Sequence, residues 1–444
     1  MQRERALALV DGEHYFPVIK DGLAAMAEQY EVIGAVFLGG TEKIGSQKDL
    51  EQLGVPVILE KDLHSALRLA IEKFSPDVAI DLSDEPVVGY YERFEIANVL
   101  LDAGVGYRGA DFAFEPPKLA ETSLPSIGVV GTGKRTGKTA VSAYTARLLK
   151  QRYNVCVVTM GRGGPAEPEV LHGEEFELSP EYLVKIAEEG HHAASDHFED
   201  ALMARVLTIG CRRCGGGMSG RTPFVSNVVQ GARVAESFHP ELAIFEGSGS
   251  TFPPIKMDRN ILIVGAHQPL DYIRRYFGPY RIMQSDLVVL TMCEPPMADE
   301  DKVNQMVEAI KQAKDVPVIK TIFRPKPLED IAGKKVFFAT TAPQTVLPRL
   351  SEYLEEHYSC KVVGASPYLS NRPKLREDIE ASNYEFDTML AELKAAGVDV
   401  AAKQALAHGK QVVFLDNIPV PLEGELDGLI EKLAQDVVDS RKRA

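Results

Sequence analysis

Residues 126–149 read SIGVVGTGKRTGKTAVSAYTARLL. The apolar run Ile127 to Val130 gives way to three glycines within seven positions, and then to a stretch whose apolar residues recur every three or four places. That order is a strand, a loop with unusual backbone freedom, and an amphipathic helix. A strand feeding a helix in this way needs parallel neighbours, so the segment commits the chain to an α/β architecture. It also builds an anion site. Backbone N–H groups with no intervening side chain, and the positive amino end of the helix, converge on one point.

The residues Gly131, Thr132, Gly133, Thr136, Gly137, Lys138, Thr139 and Ala140 are therefore expected to cradle a nucleotide. Lys138 would reach the β- and γ-phosphates, and Thr139 would ligate Mg²⁺. The spacing departs from G-x4-G-K-[ST] at one place, where Thr132 stands for the first glycine and Gly131 lies one residue earlier. Lys134 and Arg135 occupy positions where such loops usually carry small residues. Two added cations beside a nucleotide imply a second reactant that is also rich in phosphate, whose repulsion they would offset during transfer. Lys138, Lys134 and Arg135 are thus catalytic candidates.

Further along, ELAIFEGSGS places Glu246 at the carboxyl end of an apolar strand. An acid there is suited to hold a metal opposite the loop hydroxyl, which makes Thr139 and Glu246 the metal pair and Glu246 a fourth catalytic candidate. Arg162 in TMGRGGP, and Arg212, Arg213 and Arg221 in CRRCGGGMSGR, lie among glycines. Paired guanidinium hydrogen bonds and backbone N–H groups suit a small, highly charged anion. His14, in the loop DGEHYFP after the first strand, joins these four as a substrate-binding candidate, and His267 after a later strand borders the expected site. The chain has no N-K-x-D segment to read guanine, which favours ATP; TMCEPP and FRPKP are the expected places for base contacts.

The same alternation runs along the whole chain. ALALV, VIGAVFL, VPVIL and DVAIDL read as parallel strands of an amino-terminal domain over 1–120. FAFEPPKLAETSLPS, with three prolines, reads as a linker. A second alternation gives a nucleotide-binding core over 121–365. The remainder, 366–444, is an α/β extension packed on that core: a helix over FDTMLAELKAAG, a strand QVVFLDN and a terminal helix.

A formal charge of -15 argues against broad binding to nucleic acid or an anionic membrane. Only five consecutive apolar residues precede Asp11, and no run approaches a membrane span, so a cytoplasmic protein is expected. Five cysteines make no disulfide framework. Cys211 and Cys214 would need His191, His192 or His197 to complete a metal site.

GTGKRTGKT together with EGSG resembles dethiobiotin synthetase and its relatives, whose fold is a P-loop NTPase core; here it would follow a Rossmann-like α/β domain. Taken with TMGRGGPAEPEV, CRRCGGGMSGRTPFVSN, FEGSGSTFPP and TIFRPKPLED, the chain resembles the cyclic 2,3-diphosphoglycerate synthetase family of methanogenic archaea over essentially its entire length. The resemblance implies an ATP- and Mg²⁺-dependent ligase acting on 2,3-diphosphoglycerate, releasing ADP and phosphate, cytoplasmic and homodimeric. A nucleotide-driven switch or metal-insertion chaperone, and a small-molecule kinase, would use the same loop.

Overall fold

The computed structural model describes residues 3–40, 50, 52–175, 179–188, 196–394 and 397–443. They form two compact units: Met1–Lys118 with Pro269–Gln284 and Ala309–Asp315, and Leu119–Gln268 with Ser285–Glu308 and Val316–Ala444.

In the first unit, strands β1 (Arg5–Val10), β2 (Glu31–Phe37), β3 (Val57–Leu59), β4 (Val78–Asp81), β5 (Gly106–Arg108) and β6 (Ala113–Phe114) form one sheet. Its order is β3-β2-β1-β4-β5-β6, parallel except for the last pair. Along β1, Leu7 and Leu9 enter one apolar cluster while Ala6, Ala8 and Val10 enter another. Both faces are covered by helices, which is why the strand reads as an unbroken apolar run. The order reverses between β1 and β4, as in Rossmann-like sheets. His14 follows β1 at this point. Its Nδ1 lies 2.9 Å from the carboxylate of the fully buried Asp11, which also accepts the Glu13 N–H at 2.9 Å.

The second unit is built on β7 (Ser126–Gly131), β8 (Val155–Gly161), β9 (Glu169–His172), β10 (Leu207–Cys214), β11 (Val225–Ser226), β12 (Leu242–Glu246), β13 (Arg259–Gly265), β14 (Leu287–Thr291) and β15 (Val318–Pro327). The strands β10-β8-β12-β7-β13-β14-β15 are parallel neighbours, with β7 at the centre. Ile127 and Val129 face one cluster and Val130 the other, so this sheet too is sandwiched. Four further strands, β16 (Lys335–Ala339), β17 (Lys361–Ser366), β18 (Thr388–Glu392) and β19 (Gln411–Pro421), are parallel to one another and join the sheet by an antiparallel pairing of β15 with β19. The mostly parallel nucleotide-binding core preceded by a Rossmann-like unit is the fold class expected from the sequence.

One local expectation differs. The stretch FDTMLAELKAAG reads as a helix, yet Thr388–Glu392 is β18, central between β16 and β19. All five of its residues are buried, and a strand covered on both faces leaves no period of two to distinguish it from a short helix. The segment CRRC forms the end of β10. Cys211 is buried and Cys214 exposed, as expected for residues three apart on a strand, so the two thiols face opposite sides.

Candidate active site

The loop between β7 and the helix Lys138–Leu149 is shaped by what its glycines exclude. A Cβ on Gly131 would sit 2.9 Å from Thr136 Oγ1 and 3.0 Å from the Gly249 carbonyl oxygen. Gly137 combines a φ of 84° with the Phe323 ring, which a Cβ would meet at 2.2 Å. Thr132, at the position of the expected first glycine, is turned into the sheet. Its N–H donates to the Ile263 carbonyl at 2.9 Å, and its buried hydroxyl contacts Gln268. The departure from the usual spacing thus ties the loop to β13 and leaves the anion cradle to the residues after it.

Lys138 Nζ pairs with Glu246 Oε1, and Thr139 Oγ1 donates to the same oxygen at 3.0 Å. The parallel register of β12 on β7 brings these residues together from 107 positions apart. The Glu246 side chain is 1% exposed, and its other oxygen, Oε2, has no hydrogen-bond partner among the described residues. A hydroxyl and an under-satisfied carboxylate are hard oxygen donors and fit Mg²⁺.

Lys134 and Arg135 are exposed and line the same cavity, of about 930 Å³, as Gly133 and Thr136 to Ala140. Arg135 adopts a φ of 63°, a left-handed conformation that costs a non-glycine residue about 1–2 kcal/mol. Arg135→Gly is therefore expected to leave stability unchanged or raise it by up to about 1 kcal/mol, since relieved strain is set against glycine's greater backbone entropy. Turnover is expected to drop about tenfold or more, as one of the two loop cations lining the cavity is lost. Thermal unfolding and steady-state kinetics on the same preparation check both; unaltered turnover would remove Arg135 from the chemistry.

The four arginines part company. Arg162 lines the cavity, and a Cβ on Gly249 would be 2.8 Å from its Nη2 and 3.7 Å from Nη2 of Arg213, so the two guanidiniums converge beyond Glu246. Arg213 also donates to the Ser248 carbonyl at 2.8 Å. Burial, and then the Arg162 charge, draw its pKa below the usual arginine value. Arg221 is held in the interior with its guanidinium 4.7 Å from the centroid of the Phe252 ring. Arg212 is exposed on β10; like Arg213 and Arg221, and unlike Arg162, it is not part of the cavity lining. His14 belongs to the first unit. His267 lines the cavity, and burial, followed by Lys302, lowers its pKa. His197 faces Glu169 at 2.8 Å, while His191 and His192 lie outside the described residues. Among the described residues no group of three or more His, Cys, Asp and Glu is placed to hold a metal.

The expected base-contact segments do meet: Arg324 of FRPKP binds Glu294 of TMCEPP at 2.9 Å, and Arg349 binds the same carboxylate at 2.8 Å. Sequence reasoning missed the cavity residues supplied by the last strands. Glu392, at the end of β18, is buried and accepts from Thr341 Oγ1 at 2.6 Å. Lys394 pairs with Glu199 at 2.7 Å. Asp416 is paired with Arg147, and burial raises its pKa. Asn417 sits beside it, opposite Pro325 in the antiparallel register. Only the polar residues at the end of QVVFLDN signalled this contribution.

A central parallel strand, a glycine loop ending in lysine and threonine, and a neighbouring strand-end acid that meets both define a P-loop nucleotide-binding protein. The chain belongs to the cyclic 2,3-diphosphoglycerate synthetase family: residues 5–115, 126–322 and 327–418 match, respectively, its N-terminal, P-loop and C-terminal domain models. The cyclic 2,3-diphosphoglycerate synthetase of Methanothermus fervidus is 48% identical over 99% of this chain and 99% of its own length. That of Methanothermobacter thermautotrophicus is 50% identical over 96% and 94%. That of Rubrobacter xylanophilus is 48% identical over 97% of each. Among solved structures, LpxK from Aquifex aeolicus in complex with ATP is similar at a TM-score of 0.45 and 16% identity, over 79% of this chain and 96% of that one. No helix among the described residues is long and apolar enough to cross a membrane.

Proposed function

We propose that this chain is an ATP-dependent ligase that joins the two phosphates of 2,3-diphosphoglycerate in an intramolecular phosphoanhydride, releasing ADP and phosphate. Its membership of the family across all three domains carries the proposal. The meeting of Lys138 and Thr139 with Glu246 supplies the chemistry. In the first step an oxygen of one substrate phosphate attacks the γ-phosphorus of ATP, the bond to the bridging oxygen breaks, and ADP leaves with that electron pair. The second substrate phosphate then attacks the activated phosphorus, closing the ring and expelling inorganic phosphate. No protein nucleophile is required, since the second attack is made by a group already held in place.

Lys138 is assigned to the β- and γ-phosphates of ATP. Lys134 and Arg135 are assigned to the junction of the two polyanions, where cations reduce repulsion and stabilise the moving phosphoryl group. Arg162 and Arg213, converging at Gly249, are our first choice for holding the substrate; Arg212, Arg221 and His14 remain candidates. Thr139 and Glu246 would hold Mg²⁺, which when bound neutralises charge on the phosphate oxygens. A cytoplasmic homodimer belongs to the same proposal and is supported by the family resemblance.

Phosphorus NMR of the enzyme with ATP, Mg²⁺ and 2,3-diphosphoglycerate carrying ¹⁸O in its non-bridging phosphate oxygens tests product and route together. The expected result is a new anhydride pair of resonances, with one ¹⁸O atom in each inorganic phosphate released. Phosphate without label or anhydride would mean that ATP is merely hydrolysed. A phosphorylated product without phosphate release would mean a kinase.

A further inference from the structure

The far wall of the cavity is made by the carboxyl ends of β14 and β15 and by β19, and its residues are not used by the phosphoryl chemistry. Glu246 lies on β12, to one side of β7, while β13, β14 and β15 lie to the other. Thr139 meets Glu246, so a metal and terminal phosphates held by this pair would lie towards β12. The ribose and base of a nucleotide held by the loop would then extend away from β12, past β13 towards β14 and β15. There Met292, Met297, Phe323, Val346 and Leu350 line the cavity, with the Phe323 ring seated directly against Gly137. An apolar wall of this kind suits the face of a purine.

Orientation of a base needs polar groups at its edge, and the segments that follow β14 and close β19 bring Glu294, Asp416 and Asn417 to the cavity lining. Two are already committed. Glu294 is held by Arg324 and Arg349, and Asp416 by Arg147. The side-chain amide of Asn417 makes no hydrogen bond among the described residues, and antiparallel pairing of β19 with β15 fixes its backbone opposite Pro325.

Resting on the ATP-dependent function above, we propose that Asn417 anchors the nucleotide base and so determines its identity, which makes the carboxyl-terminal strand part of the nucleotide site. A carboxamide offers a donor and an acceptor side by side, matching the amino hydrogen and adjacent ring nitrogen of adenine. A carboxylate only accepts. It would repel the adenine ring nitrogen and suit the two neighbouring donors on guanine.

Calorimetric titration of wild type, Asn417→Ala and Asn417→Asp with ADP, GDP and inorganic pyrophosphate tests this. Pyrophosphate has no base and reports the phosphate loop alone. The expected result for Asn417→Ala is ADP binding weakened about tenfold or more with pyrophosphate binding unchanged. For the nearly isosteric Asn417→Asp, the ratio of ADP to GDP affinity is expected to move about tenfold or more towards GDP. Unchanged ADP affinity in the alanine variant, equal loss of ADP and pyrophosphate, or an unchanged ratio in the aspartate variant would overturn the assignment. Failure of the wild type to bind either ADP or pyrophosphate would instead sink the nucleotide-site reading beneath it, and this proposal with it.

Discussion

Lys138→Ala is expected to lower kcat by on the order of 10³-fold, because on the proposed assignment the lysine meets charge that develops on the transferred phosphoryl group. It is also expected to destabilise the protein. In the structure its ammonium pairs with Glu246, and the two side chains are 10% and 1% exposed. Removing one partner leaves a buried carboxylate whose remaining hydrogen bond among the described residues is from the Thr139 hydroxyl, and breaking such a pair costs about 3–5 kcal/mol. The double variant Lys138→Ala with Glu246→Gln removes the stranded charge as well. It should recover most of the lost stability in chemical denaturation and none of the turnover. Full activity in Lys138→Ala would remove the lysine from the site. Equal instability of the single and double variants would show that the buried charge is not the cause.

The second large effect concerns the substrate. Arg213→Met is expected to raise KM for 2,3-diphosphoglycerate about 10- to 100-fold while leaving KM for ATP within about twofold, since a charge-assisted hydrogen bond contributes about 1.5–3 kcal/mol. Arg162→Met should behave similarly. Both guanidiniums converge at Gly249, so the double variant is expected to lose less than the sum of the two. Arg213→Lys should recover little, because an ammonium lacks the planar fork that binds phosphate by two bonds and also reaches the Ser248 carbonyl. Steady-state kinetics with each reactant varied in turn separates the two KM values. A rise confined to ATP would move these arginines to the nucleotide instead.

What could be read without coordinates was local or periodic. The anion cradle lies within nine consecutive residues, Gly131 to Thr139, and owes its shape to backbone groups and a helix terminus, so no distant partner is needed to recognise it. Glu246 was legible because a lone acid closing an apolar strand marks the end of a parallel sheet where ligands gather. The alternation of strands and helices was enough for the fold class.

Other features had no local signal. Arg162, Arg212, Arg213 and Arg221 look equivalent in sequence, yet two converge at Gly249, one is exposed on β10 and one is packed on Phe252; strand register and glycine turns separate them. Thr132 looked like a weakened glycine position until its contacts to β13 were visible. β18 looked helical because burial on both faces erases periodicity. Asn417, Glu392 and Lys394 reach the cavity only because β19 reverses against β15 and carries β18 with it. The sequence by itself determined the chemistry of phosphate binding, which is encoded in contiguous backbone and in residue type. Only the tertiary structure decided which arginines converge and which late strands line the cavity, since both depend on pairings between segments up to hundreds of residues apart, and those are chosen by the packing of the whole sheet.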